Sequence, residues 1–210
     1  MAKRNYKKRK LSVYFSVFLV LYGLLAVFYS IYMERYEWIF WFCYAGMILI
    51  GLGSLIKSPK LIIGQLNIIF IPLLFWNIDF FLTLFSGKNY LGIADYFFEE
   101  MPILSRIISL EHLFLIPISL FLLYQTIESN KDFRSKIKYS WLISIFQVSI
   151  TFFIMRMFNL TKENINCISE NCYKFIPLFT DYLLGWFIVM FAMIFLTNLL
   201  VRIYFSINQK

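Results

Sequence analysis

Residues 61–84 read LIIGQLNIIFIPLLFWNIDFFLTL. A single formal charge, Asp79, interrupts a stretch long enough to cross about 30 Å of hydrocarbon at about 1.5 Å per helical residue. A basic turn, Lys57-Ser58-Pro59-Lys60, precedes it, and Pro59 cannot continue the helix before it. Five further runs of the same kind, at 11–32, 38–56, 108–127, 139–158 and 182–205, take up most of the 210 residues. Strands of a membrane barrel alternate over segments of about ten residues, whereas these runs are unbroken. In lipid the backbone must satisfy its own hydrogen bonds, so the runs are read as helices. The sequence predicts an all-α, polytopic transmembrane bundle of six helices, a single integral membrane domain over 1–210.

The composition agrees. Hydrophobic residues make up 60% of the chain and charged residues only 15%, and 25 Phe would be an aggregation load in water. The net charge of +8 is an orientation signal rather than a nucleic-acid footprint. Fourteen of the 20 basic residues lie at the N-terminus (Lys3, Arg4, Lys7, Lys8, Arg9, Lys10), at Lys57 and Lys60, at Lys131, Arg134, Lys136 and Lys138, and at Arg202 and Lys210. Those are alternate connections, so the positive-inside rule puts the N- and C-termini in the cytoplasm. No nucleic-acid motif accompanies the charge. The first run is too long for a secretory signal and lacks a small-x-small cleavage site, which reads as a retained anchor. The expected location is a bacterial inner (cytoplasmic) membrane, crossed several times.

Breaks at 33–37 and 57–60 are tight, while the outer loops 85–107 and 159–181 are long, a length more often functional than merely connecting. The aromatic first loop suits the membrane interface, and Pro102 suits the first turn of the fourth helix. Helix two carries Ala45, Gly46, Gly51 and Gly53, small residues that allow close helix packing. Cys167 and Cys172 in the second long loop fit either a disulfide or two free thiols, since spacing alone does not give geometry. Cys43 reads as helix packing. No metal is expected, because the outer loop cysteines and the sole histidine show none of the paired ligand spacings, and no cofactor motif is present.

Ionisable side chains inside spans cost about 2.5–3.5 kcal/mol each near the bilayer centre, so they mark function by default. Here they are Asp79 on the third run, Glu111 and His112 on the fourth, and Arg156 on the fifth; Asn77, Arg106 and Asp181 fall at the same outer depth. Ser105, Ser109, His112 and Ser119 share one face if the fourth helix is continuous, with Glu111 about 100° away. Ser144, Gln147 and Thr151 form a second polar stripe, and Pro117 opens a bend below His112. These depths predict a polar pocket open to the outside that binds a small or lipid-like ligand. Its expected catalytic pair is His112 as general base with Glu111, the orienting carboxylate being Glu111 or Asp79 and the anion holder Arg106 or Arg156; its expected ligand-binding residues are Asn77, Asp79, Asp95, Arg106, Ser109, Arg156 and Asn166. A bland reading stands beside it, in which Asp79 and Arg156 neutralise each other and His112 bonds a carbonyl. Three function classes are open: a membrane enzyme at the outer leaflet, a transporter with Gln147 and Asn198 along its path, and a scaffold or assembly protein with structural ion pairs.

The stretch Gly92-Ile93-Ala94-Asp95-Tyr96-Phe97-Phe98-Glu99, followed by Arg106, Ser109-Leu110-Glu111-His112 and Pro117, resembles an uncharacterised family of bacterial multi-pass membrane proteins. That family's pattern is Gly-x-Thr-x-Tyr-x-Phe-Asp, then Arg, then Ser-Leu-Phe-His and a nearby Pro. Asn164-Ile165-Asn166 is similar to its Asn-Ile-Asn element. The chain departs at Ala94, Glu99 and Glu111. The resemblance covers roughly the second half and implies a multi-pass membrane protein of unassigned activity, with the same outer-face residues singled out. Glu99-Glu100 before Arg106 is two residues too widely spaced for the CAAX-protease-like pattern, and a single His cannot complete that motif set.

Overall fold

The computed structural model describes residues 2–128, 139–170 and 182–208. Cys172, Asp181 and the basic break at 131–138 lie outside the described residues. Within them every regular element is helical: α1 Ala2–Tyr32, α2 Phe42–Leu55, α3 Pro59–Ser86, α4 Asp95–Phe98, α5 Ile103–Ser109, α6 Glu111–Glu128, α7 Ser140–Met157 and α8 Tyr182–Asn208, with short 3-10 turns at Tyr36–Phe40 and Ile165–Cys167. Five stretches are long and apolar enough to cross a membrane: Arg9–Tyr32, Pro59–Ser86, Ile103–Ile127, Ser140–Met157 and Tyr182–Tyr204.

The second run differs from its sequence reading. Instead of one helix over 38–56, Tyr36–Phe40 forms a 3-10 turn, Trp41 is extended, and α2 begins at Phe42. Its 14 residues rise about 21 Å at 1.5 Å each, short of the hydrocarbon thickness. The fourth run is also interrupted: α5 ends at Ser109, Leu110 forms a turn, and α6 restarts at Glu111. Pro102 caps α5 rather than entering its first turn.

Helix α3 is the centre of the bundle and touches α2, α6, α7 and α8, while α1 packs along α2 and α6. The burial pattern is that of a protein dissolved in lipid. Large apolar side chains such as Leu21, Phe28, Phe146, Phe153 and Leu184 are exposed, whereas Gln65, Asn67, Asp79, Glu111, Ser140 and Ser144 are buried. In water such a distribution would leave a large apolar surface uncovered; in a bilayer it puts each costly polar group where a protein partner can reach it.

Those partners are mostly other helices. Gln65 Nε2 on α3 donates to Gln147 Oε1 on α7 at 2.7 Å. Ser144 Oγ donates to the Gly64 carbonyl at 2.8 Å and accepts from Asn67 Nδ2 at 3.2 Å. Asn198 Nδ2 on α8 donates to Ser140 Oγ at 2.8 Å. Such interhelical bonds contribute on average about 0.6 kcal/mol each in membranes. The stripe Ser144–Gln147 therefore ties α3 to α7. Close backbone approach does the same for α1 and α2: a Cβ at Gly51 would lie 2.5 Å from the Ser16 carbonyl oxygen.

Candidate functional site

At the end of the bundle where the connections 33–41, 87–102 and 158–170 gather, a cavity of about 640 Å³ opens between α2, α3, α5, α6 and α8. Its wall is largely apolar and aromatic, Trp38, Trp41, Trp76 and Trp186 lining it together with Ile68, Met190 and Met193. Among the described lining residues there is no Lys or Arg; the titratable ones are Glu111, His112, Glu163, Cys43 and several Tyr.

The polar corner of this cavity lies beside the turn at Leu110. Glu111 and His112 open α6 just past this turn, and although neighbours on a helix point about 100° apart, the cavity is wide enough that both line it, together with Ser109 before the turn. His112 is held on three sides. Its Nδ1 lies 2.9 Å from the Ser109 carbonyl, its ring stacks on Trp76 with centroids 4.5 Å apart, and its own carbonyl accepts from Asn77 Nδ2 at 2.7 Å. Asn77 Nδ2 also donates to the Leu73 carbonyl, binding α3 to α6 beside Pro72. Trp76 is in turn oriented by its indole N–H, which donates to Tyr96 Oη at 3.0 Å. Burial pushes ionisation of the Tyr96 phenol above its ordinary range, so it stays neutral.

Glu111 is fully buried, and among the described residues neither carboxylate oxygen has a nitrogen or oxygen hydrogen-bond partner; the weakly donating Cys43 thiol is its neighbour. His112 Nδ1 lies 3.7 Å from Glu111 Oε1. An unpaired buried carboxyl costs several kcal/mol unless something else engages it. Cys43, the second residue of α2, completes the corner: one donor atom each from Cys43, Glu111 and His112 lie within 4.8 Å of one another. Cys43 is a free thiol. These three are the described residues that could together hold a metal ion.

Asn166 sets the position of Cys43. Its Oδ1 accepts the Phe42 amide at 3.2 Å, its Nδ2 donates to the Phe40 carbonyl at 2.8 Å, and its carbonyl accepts the Trp186 indole N–H at 3.0 Å. A side chain from the last loop thus caps the start of α2, satisfying a donor that a helix N-terminus leaves open. Cys167, next in the chain, is disulfide-bonded. Glu163 pairs with Arg35 across the mouth.

Of the residues named from the sequence, Glu111, His112, Ser109 and Asn166 line the cavity, and Asn77 braces it from behind. Asp79, Asp95, Arg106 and Arg156 do not line it. Asp79 is an anchor for loop 87–94: its carboxylate accepts the amides of Leu91 (2.9 Å), Ile93 (2.7 Å) and Ala94 (2.9 Å). Gly92, at φ +74°, supplies the turn that brings those amides together. The loop therefore folds back on α3, where Phe97 and Phe98 pack on Phe80. Arg106 donates to the Glu99 carbonyl and Arg156 to the Ile168 carbonyl, each tying down a loop. The expected Asp79–Arg156 pair does not form. No family model, curated protein or solved structure matches this chain.

Proposed function

We propose that this protein crosses the cytoplasmic membrane six times with both termini inside, and that it holds a small lipid-like molecule in a cavity open to the outer leaflet. The molecule's apolar body would lie along Ile68, Met190 and Met193, with its polar end toward Cys43, Glu111 and His112. A cavity of about 640 Å³ falls within the roughly 300–1,000 Å³ typical of small-molecule sites, and an apolar wall with a few convergent polar groups is their usual chemistry. The observation that carries the reading is Glu111: a buried carboxyl facing that cavity with no nitrogen or oxygen donor among the described residues. The wall's lack of Lys and Arg among described residues favours a neutral or cationic polar end over an anionic one.

The orientation rests on the distribution of basic residues, and α2 with its preceding 3-10 turn would complete the sixth crossing. Catalysis with His112 as general base is the second reading. It is supported by a ring locked by Trp76 and Ser109 and facing the cavity, since a base must be positioned before its proton affinity matters. The transporter and scaffold alternatives gain less: Gln147 and Asn198 are engaged in interhelical bonds, and no ion pair joins Asp79 to Arg156.

Native mass spectrometry of the protein released from nanodiscs tests the binding reading. Wild type should carry a bound species of defined mass, lost when Met190→Trp fills the cavity while the variant stays monodisperse with an unchanged melting temperature. Identical spectra for the two proteins would end the proposal.

A further inference from the structure

The geometry points to a metal centre in the polar corner: we propose that Cys43 Sγ, a Glu111 carboxylate oxygen and a ring nitrogen of His112 bind one zinc-class divalent ion, with its fourth coordination position open to the cavity. This rests on the same cavity as the proposed function and says what its polar end does. With the ion in place, the polar end of the occupant, or a water molecule, would complete the coordination.

Three features carry the assignment. The first is proximity: the three donor atoms lie within 4.8 Å of one another, and a tetrahedral zinc with bonds of about 2.0–2.3 Å needs donors about 3.3–3.6 Å apart. Side-chain rotation closes the difference. The second is the unmet need of Glu111, whose two oxygens are buried and lack a nitrogen or oxygen hydrogen-bond partner among the described residues. The third is charge. Bound as thiolate, carboxylate and neutral imidazole, the ligands carry two negative charges that cancel those of a divalent ion, so the site is neutral where an uncompensated charge would be costly. The Cys43 thiol proton, and that of Glu111 if the acid is protonated, leave to water as the ion enters.

The ligand set also discriminates among ions. A thiolate with an imidazole suits zinc and disfavours magnesium and calcium, which take all-oxygen shells. Three protein ligands plus an open position is the arrangement of reactive rather than structural zinc sites. The surroundings supply the outer contacts such a site uses. The Ser109 carbonyl, 2.9 Å from His112 Nδ1, can fix the ring with Nε2 free for the metal. Asn166 holds the first residues of α2, and hence Cys43, through the Phe42 amide and the Phe40 carbonyl.

The test uses the full chain in detergent, loaded with zinc or cobalt alone. Wild type should retain about one zinc per chain after gel filtration. After chelation, added Co²⁺ should give a thiolate-to-cobalt charge-transfer band and quench the fluorescence of Trp76, whose ring stacks on His112. Cys43→Ser should lose the band. Glu111→Gln and His112→Gln should weaken metal affinity by at least about tenfold, the effect usual even for outer-contact changes. Cys43→His separates coordination from folding: it should bind zinc again without the charge-transfer band. Wild type that holds no zinc and shows no cobalt band would overturn the proposal. A band surviving in well-folded Cys43→Ser would do the same. Lipid bound in native spectra without any metal would remove the metal centre and leave the cavity reading standing; metal without a bound organic species would do the reverse.

Discussion

Replacing Asp79 with Ala should unlatch the outer loop without removing a side chain from the cavity's polar corner. The carboxylate accepts three backbone amides, from Leu91, Ile93 and Ala94, at 2.7–2.9 Å. Hydrogen bonds to a charged group contribute about 1.5–3 kcal/mol each, and a buried amide left without an acceptor costs about 1–3 kcal/mol. Three such bonds share one acceptor group, so they do not add fully. The loop can also recover part of the loss by swinging into water, and we expect a net destabilisation of about 3–5 kcal/mol. Asp79→Asn keeps one carbonyl oxygen but presents an NH₂ to at least one amide, and should cost about 2–3 kcal/mol. Hydrogen exchange read by mass spectrometry is the suitable assay, because it localises the effect. Amides 89–98 should exchange at least about tenfold faster in Asp79→Ala, as any opening made easier by more than about 1.4 kcal/mol requires. The deep contacts of α3 with α7 should be unaffected, and zinc content should not change. Unaltered protection across 89–98, or loss of bound metal with the loop still protected, would refute the anchor role and return Asp79 to the ligand-binding residues.

Four other outcomes can be checked. Gly51→Leu should force α1 from α2, since even a Cβ would sit 2.5 Å from the Ser16 carbonyl; a loss of at least about 1–3 kcal/mol is expected in thermal melts. Asn166→Ala should cost about 1–2 kcal/mol through the lost cap at Phe42 and also lower metal content, whereas a purely structural cap would leave the metal in place. Gln147→Leu should cost no more than about 1.7 kcal/mol, the upper end for interhelical bonds in membranes, and leave the cavity's occupant bound; loss of the occupant would favour a path through α7. Alkaline phosphatase fused after Lys88 should be active and the same reporter after Lys57 inactive, and the reverse pattern would invert the topology.

The legible part of the structure was the part governed by local chemistry. Unbroken apolar runs such as 61–84 need no partner to declare themselves helices in lipid. The sparse ionisable groups likewise announced themselves by their cost, and Glu111, His112, Ser109 and Asn166 do meet at the cavity. What the sequence concealed depends on tertiary arrangement. Arg106 and Arg156 share a depth with His112, but depth does not say which way a long side chain turns, and each reaches a loop carbonyl instead. Asp79 looked like half of an ion pair because a sequence shows charged partners but not backbone amides folded back from twelve to fifteen residues ahead. Helical periodicity put Ser105, Ser109 and His112 on one face, and all three line the cavity across the turn at Leu110, but it did not show that Glu111 joins them. Cys43 was read as packing because it precedes Glu111 by 68 positions. Only the packing of α2 against α6 joins them. One clue was in the chain: the aromatic Trp-Ile-Phe-Trp-Phe stretch before Cys43, whose bulky rings disfavour a smooth helix start and favour a cavity wall.

An experimental density map of the wild-type protein in lipid nanodiscs tests the central claim most directly. The account predicts non-protein density inside the cavity, bounded by Met190 and Ile68 and reaching Glu111 and His112, with a compact peak between Cys43, Glu111 and His112. A bundle whose cavity has closed on its own side chains, with the Glu111 carboxyl paired to a protein donor, would contradict it.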